Sequence, residues 1–449
     1  MRDLLSEIEQ RLDRATSRGL AAAVSRAVSD RVLAPGAKLP PIRTVAAELA
    51  LSPTTVSAAW SQLARSGVIR TDGRRGTTVA DGTAGGDRYK RALGRPVSLA
   101  QDLSTGVPDG GLLPGLGRVL STLETAGTPS SYLEGPVLPD LEALLRHDWP
   151  YPPEALTVVD GAMDALDLVT RTFLRFGDRV VVEHPGFPPV VDLLEALNIE
   201  VLGVPVDEEG LAPEALAAAI ARAPVSAVVL QPRAQNPTGV SMTRARARQL
   251  ADVLGAAGAL VVEDDSTHGL STSPPISLGE RLPERTLHIR SFSKSHGPDL
   301  RLAALSGSAQ RVQALESRRH LGQGWSSRLL QRILVGLLTE PTAVAAVERA
   351  RDIYDERRGL LIDALATHGV AVGGAEGLNV WVPVQDEASA IVRLASQGIG
   401  VSAGAPFAVL PEPRGFIRVT AGLVREGHAE LGAAIAEAAQ TTGWGSRAR

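Results

Sequence analysis

SFSKSHGPDLR, residues 291–301, sets one lysine, Lys294, beside two serines, Ser291 and Ser293, with an arginine, Arg301, seven residues on. A single lysine after a strand is ordinarily a solvated surface group. The serines and Arg301 lift Lys294 above that reading, because hydroxyls and a guanidinium are phosphate ligands.

Outward from this stretch, apolar β-rich runs alternate with helical ones from about residue 99. LTVVDG, RVVVEHP, EVLGVPV, SAVVLQP, LVVEDD and TLHIRSF read as strands; LAPEALAAAIARA and TRARARQLADVLGAAG have helical spacing. Such alternation implies a mostly parallel sheet covered on both faces, with ligands at the carboxyl ends of its strands. Three further pieces fall at such ends. VVDGAMDALDLVTRTFL puts Gly161 between strand and helix, where free backbone N–H groups suit a phosphate. QPRAQNPTGVSMT places Asn236 in a turn before Pro237, and LVVEDDS closes a strand with Glu263, Asp264 and Asp265.

The first eighty residues have a different character. They hold 12 Lys+Arg against 7 Asp+Glu, or +5, on a chain whose formal net charge is −4, so the remainder sums to −9. A basic segment on an acidic body suits a polyanionic partner, although chance would give the same balance. MRDLLSEIEQRLDRA reads as an amphipathic helix, and GLAAAVSRAVSDRVLAPG as a helix ending at Pro35-Gly36. Ile42, Val45, Ala46 and Leu49 then share one helical face. In SPTTVSAAWSQLARSG, Ser52 can cap a helix and Pro53 suits its first position. Val56, Trp60 and Leu63 form its buried stripe, while Thr54, Thr55, Ser57 and Ser61 face outward. VIRTDGRRGTTVAD reads as a hairpin tipped by an arginine pair. Two short helices with small hydroxyl residues at the start of the second, followed by such a wing, make a winged helix-turn-helix (α+β). DGTAGGDRYKRALGRPVS, residues 81–98, reads as a flexible tether. Its Arg88, Lys90 and Arg91 are either solvated or in contact with DNA backbone.

LPPIRTVAAELALSPTTVSAAWSQLARSGVIRT with the wing GRRGTTV closely resembles the GntR family of bacterial regulators. The resemblance implies DNA contacts by Arg43, Thr44, Thr54, Thr55, Ser57, Arg75 and Gly76. The later motifs, NPTG and SFSK with its spaced arginine among them, resemble α/β fold-type I pyridoxal-phosphate enzymes of the aminotransferase class. Joined to a GntR-like start they are similar to the MocR subgroup, and the resemblance spans essentially the whole chain. It implies pyridoxal 5'-phosphate as cofactor and Lys294 as its Schiff-base lysine. Ser291, Ser293, Arg301 and the backbone at Ala162 and Met163 would hold the phosphate. Asp264 would pair with the pyridine nitrogen, Asn236 with the ring oxygen, and Phe187 would stack on the ring. Tyr132 matches a tyrosine that reaches the other subunit's phosphate, and Arg418 the arginine that takes a substrate carboxylate. Phe187 equally suits core packing, Arg418 a structural ion pair, and the acidic strand end a plain solvated cluster.

The chain departs from the family pattern in places. Ser266 stands where relatives carry a tyrosine, RLAAL replaces the commoner RLGYL, and LRHDWPYPPEALT lacks the usual arginine-glycine pair. These changes leave cofactor binding intact as an expectation and weigh against efficient transamination. Together with QPRAQNPTG, the missing tyrosine resembles a MocR branch tied to vitamin B6 metabolism. His268 and His296 lie near the motifs without zinc-type spacing and read as pocket-rim or surface residues; no metal site is expected.

The chain has 449 residues, which predicts at least two domains: 1–80 for DNA, 81–98 as linker and 99–449 as the aminotransferase-like part. With no cysteine, disulfides and thiolate chemistry are excluded. No secretory signal or membrane-spanning run is visible, so a cytoplasmic, nucleoid-associated bacterial protein is expected. The expected partners are double-stranded operator DNA, pyridoxal phosphate or a small amino compound as effector, and a second copy of the chain in a homodimer. The main reading is a transcription regulator that senses through its aminotransferase-like domain. The rivals are a working aminotransferase with an added DNA-binding domain, and a cofactor-free scaffold.

Overall fold

The computed structural model describes residues 2–12, 14–30, 32–65, 68–72, 76–80, 87–93, 99–123 and 135–442. At the start, α1 (Arg2–Glu9), α2 (Ser17–Ser29), α3 (Ile42–Glu48) and α4 (Pro53–Arg65) precede a two-stranded wing of β1 (Ile69–Asp72) and antiparallel β2 (Gly76–Val79). Trp60, Val56 and Leu63 of α4 pack with Leu20 and Val24 of α2, Val45 of α3, and Ile69 and Val79 of the wing. Each such buried side chain contributes roughly 1.5–3 kcal/mol, so the predicted apolar stripe is what fixes this segment. The second helix stops at Ser29 and not at Pro35-Gly36, because Asp30 takes the C-cap position and the chain turns before the proline. Ser52 caps α4 as expected: its Oγ accepts from Thr55 N at 3.0 Å.

The segment expected to be a loose tether contains a helix, α5 (Asp87–Leu93). Arg88 does not serve as a DNA-facing cation: its guanidinium is taken up by Glu195 at 2.9 Å and by the carbonyl of Ala408 at 2.9 Å. Lys90 and Arg91 are exposed.

The remainder is built on an eight-stranded sheet. In chain order its strands are β4 (Ala155–Val159), β5 (Arg179–His184), β6 (Glu200–Asp207), β7 (Gly210–Leu211), β8 (Ala227–Leu230), β9 (Leu260–Asp265), β10 (Thr286–Ser291) and β11 (Ala303–Gly307), following a two-residue β3 (Gln101–Asp102) outside it. Across the sheet the order is β4-β11-β10-β9-β8-β5-β6-β7. Strands β10, β9, β8, β5 and β6 run parallel, as the strand–helix alternation predicts. Strand β11, from RLAALSG, is antiparallel to both neighbours.

The sheet is buried on both sides because its strand residues alternate between two cores. Val180, Val182, Val229, Leu260 and Val262 face one with helices α8 (Ala162–Phe173) and α9 (Pro188–Ala196). Val181, Val228 and Val261 face the other with α10 (Pro213–Arg222) and α11 (Arg244–Ala257). After the long helix α14 (Pro341–Thr367), a smaller sheet orders β12 (Val380–Val384), β15 (Gly415–Val419) and β14 (Ser402–Ala403) side by side. Its own core includes Val380, Val382, Ile417 and Val419. Among the described residues no single helix is long and apolar enough to cross a membrane.

Candidate functional site

Register across the large sheet explains why distant motifs meet. Ser291 at the end of β10 pairs with Ala303 of β11, and Ala303 pairs with Val159 at the end of β4. Ser293, Arg301 and Gly161 each lie two residues beyond this line, so they come to one edge. Arg301 Nη2 donates to the carbonyl of Asp160 at 3.2 Å. Gly161 has φ +106°, and a Cβ there would stand 3.0 Å from that nitrogen. Ala162 and Met163 open α8 beside it, their N–H groups free of intrahelical partners. Ser291 is buried, Ser293 half-buried and Arg301 exposed. A cationic, donor-lined niche results, of the kind that suits a phosphate dianion.

Beside the niche lies a cavity lined by Phe187, Gln231, Asn236, Ser266, Lys294 and Asn379 among others. The Lys294 ammonium donates to the carbonyl of Gly106. Burial lowers its pKa to about 8, the charge of Arg418 adds to the fall, and Asp264 opposes it. Asp264 is buried; its Oδ2 accepts from Gln231 at 2.8 Å and its Oδ1 from Ser266 at 2.5 Å. Burial raises the Asp264 pKa, Ser266 and Gln231 pull against it, Asp265 adds to the rise and Lys294 opposes it. A cationic partner on the carboxylate would complete its ionisation.

Arg418, on the central strand β15, is almost wholly buried. Its guanidinium donates to Asn236 Oδ1 at 3.2 Å and to the carbonyl of Ser104 at 2.5 Å, and it lies over the Phe407 ring with 5.1 Å to the centroid. Burial lowers its pKa to about 10, with Tyr89 acting the other way. No carboxylate pairs with it among the described residues, so the structural ion pair that the sequence allowed is not what holds it. Gly106, at φ +65°, lets the backbone run against this group: a Cβ would lie 3.2 Å from Arg418 Nη2.

The acidic strand end divides by register. Asp264 bonds Gln231 and Ser266 in the wall of the Lys294 cavity. Glu263 turns into the core, bonded to Ser277 Oγ, Leu278 N and His288 Nδ1. Asp265 pairs with Arg233 at 2.5 Å. Burial would raise Asp265, but Arg233, then His288 and His268, outweigh it and its pKa is lowered.

His268 and His296 are half-buried. The first sits between Asp148, at 3.5 Å, and Arg233, at 3.1 Å, and burial lowers its pKa. The second bonds Ser295 and meets Phe292 edge-on, and burial brings its pKa to about 4. Phe187 lines the cavity and packs on the large core.

Gln231 carries no role in the sequence reading, yet its amide ties two site residues together. Its Nε2 donates to Asp264, and its Oε1 accepts from Asn236 N at 2.8 Å. It stood inside QPRAQNPTG, the one available signal. Gly106 and Ser104 have no motif; only the fold brings them to Lys294 and Arg418. Tyr132 and Arg75 lie outside the described residues.

On the N-terminal segment Arg43, Thr54, Ser57 and Gly76 are exposed and Thr44 and Thr55 half-buried. Thr54 and Thr55 do not simply face outward; their hydroxyls bond Ser52 Oγ at 2.7 and 2.8 Å, so part of their capacity serves the helix cap.

A lysine and an arginine gathered at strand ends of such a sheet, behind a winged helix, define an aminotransferase-like protein of fold type I carrying a DNA-binding segment. Residues 101–435 match the model for aminotransferase class I and II, and residues 16–79 that for bacterial regulatory proteins of the gntR family. The chain is 35% identical over 390 residues to the vitamin B6 salvage pathway transcriptional repressor PtsJ of Salmonella typhimurium, covering 85% of this chain and 88% of that one. It is 27% identical over 406 residues to the pyridoxine biosynthesis transcriptional regulator PdxR of Corynebacterium glutamicum, covering 85% and 86%. Among solved structures, the multiple substrate aminotransferase of Thermococcus profundus superposes with a TM-score of 0.69 at 21% identity, covering 77% of this chain and 93% of that one. The protein belongs to the GntR family of transcriptional regulators, in the MocR group that joins a helix-turn-helix to an aminotransferase class I and II domain. It is a DNA-binding regulator, and its fold-type I domain implies pyridoxal 5'-phosphate. The residues fit that group: an amine with a lowered pKa, a carboxylate held by two donors, and a donor-lined niche at Gly161 and Arg301.

Proposed function

We propose that this regulator senses pyridoxal phosphate, alone or with an amino compound, and converts occupancy of the Lys294 cavity into a change in DNA affinity. The observation that carries the reading is Lys294, whose amine is brought to about 8, beside Arg418, a buried cation without a carboxylate partner among the described residues. When bound, pyridoxal phosphate supplies an aldehyde that condenses with a neutral amine and a ring that withdraws electrons. Lys294 offers that amine. Ser291, Ser293, Arg301 and the N–H groups of Ala162 and Met163 bind phosphate, and Tyr132 reaches it from the other subunit. Asp264 holds the ring nitrogen's proton, kept in place by Gln231 and Ser266. Asn236 meets the ring oxygen, and Phe187 covers one face. Arg418 orients a carboxylate of the effector.

Arg43, Thr44, Thr54, Thr55, Ser57, Arg75 and Gly76 face operator DNA. The division is 1–80, 81–98 and 99–449, and a cytoplasmic homodimer presents two winged helices to paired half-sites. The functions for which PtsJ and PdxR are named support control of vitamin B6 metabolism. The test is the visible absorption of the purified protein with added pyridoxal phosphate, beside Lys294→Ala. A new band in the wild type that the variant lacks is the expected result. Identical spectra would sink the sensing reading and leave a regulator on an inert scaffold. Turnover of an amino acid with a keto acid would favour the aminotransferase instead.

A further inference from the structure

Helix α5 is tied at both ends to the structure that supports Arg418. At its start, Asp192 of α9 accepts from Arg88 N at 3.3 Å and from Tyr89 N at 3.1 Å, taking up two of the helix's free N–H groups. The Arg88 side chain spans two partners: Glu195 of α9, and the carbonyl of Ala408. Ala408 directly follows the short 3-10 turn Ala405–Phe407, and the Phe407 ring lies against the Arg418 guanidinium. Toward its other end, the carbonyl of Ala92 accepts from Ser402 Oγ at 2.6 Å, and Ser402 is the strand partner of Arg418. Helix α9, the floor of this dock, begins just after Phe187 in the wall of the Lys294 cavity. In sequence, α5 starts eight residues after the last wing strand ends at Val79.

We propose that α5 is the coupling element between the effector site and the DNA-binding segment, with Arg88 and Asp192 as its positioning residues. The inference rests on the reading of Arg418 as the effector's carboxylate ligand. A carboxylate there draws the guanidinium away from the Ser104 carbonyl and Asn236. Phe407 and Ser402, in contact with the same side chain and strand, transmit the change to Ala408 and Ala92, and so to the two ends of α5. The link is thermodynamic: a ligand that prefers the docked arrangement makes undocking rarer, and a fixed α5 restricts where the winged helix can lie.

Hydrogen exchange of residues 87–93, in the full chain loaded with pyridoxal phosphate, tests this with maleate as a non-reacting dicarboxylate probe. At ten times its dissociation constant the probe should slow exchange of the α5 amides by about tenfold, if undocking abolishes its binding. Arg418→Ala should remove the effect. Arg88→Met, which favours the undocked arrangement, should speed α5 exchange without maleate and, by the same linkage, weaken maleate binding read by calorimetry, while affinity for a duplex selected from random DNA shifts less with maleate. Glu195→Gln, which keeps the shape and weakens the clamp, should fall between the two. Arg418-dependent maleate binding with unchanged α5 exchange in the wild type would overturn the proposal and leave the effector reading standing. The exchange measurement itself needs only the wild-type chain. Absence of any maleate or pyridoxal phosphate binding would overturn both.

Discussion

Lys294 shows how one side chain acquires its chemistry from its surroundings. Burial favours the neutral amine, and Arg418 strengthens the preference. Reductive trapping of pyridoxal phosphate on Lys294 should therefore rise with pH about a midpoint near 8, where an exposed lysine would rise near 10.5. The same shift has a consequence for stability. Between those pH values the unfolded chain binds the more protons at this position, so the Lys294 contribution to stability increases as pH rises through the window. Lys294→Met should remove that slope from a denaturant series. Gly161 is the matching test of the phosphate niche. Alanine there must adopt φ near +106° and crowd Arg301; strain of about 1–3 kcal/mol is typical of such positions. Gly161→Ala should weaken pyridoxal phosphate binding by about tenfold or more in a spectral titration, since 1.4 kcal/mol is tenfold. An unchanged affinity would show that the niche is not where the phosphate sits.

At the scale of elements, α4 is held from both sides of its sequence pattern. Its apolar stripe secures it from within, and Ser52 closes its first turn. Ser52→Ala should cost the N-terminal segment about 1 kcal/mol, seen as a lower midpoint of its unfolding. Because Ser52 also binds Thr54 and Thr55, the change should alter DNA affinity as well. Strand β9 makes the opposite point. Three consecutive carboxylates leave it for three environments, because side chains alternate along a strand and the strand ends at the cavity. The repeated motif EDD was legible; the separate partners, Ser277 with His288, Gln231 with Ser266, and Arg233, were not. All five lie outside EDD, and all but Ser266 sit on other strands and loops.

For the whole molecule, the uneven charge matters most. A +5 N-terminal segment on a −9 remainder should make DNA binding strongly salt dependent and keep the acidic body off the phosphates. Six to ten phosphate contacts lose about 10³–10⁵ in affinity between about 50 and 200 mM salt. Fluorescence anisotropy on a selected duplex should show such a fall, linear in log–log form. A flat response would contradict the assigned DNA face. Light scattering should give twice the chain mass, with or without pyridoxal phosphate. A monomer would remove the shared site that Tyr132 requires.

Much of this was written in the chain. Parallel strands follow from alternating strand and helix patterns, the winged helix from spacing and caps, and Lys294, Asp264, Asn236 and Arg418 from short motifs. Local periodicity and turn chemistry suffice for the strands and the winged helix, because they concern neighbours within a few residues; the four site residues came from the resemblance of their motifs. The antiparallel β11, the docked α5 where a loose tether was expected, the contacts of Gln231 and Gly106, and the bonds of Arg418 to Asn236 and the Ser104 carbonyl were not legible. Each depends on contacts between residues far apart in sequence. Arg88 is the clearest case: its charge was visible, but Glu195 and Ala408, more than a hundred residues away, settle what that charge touches.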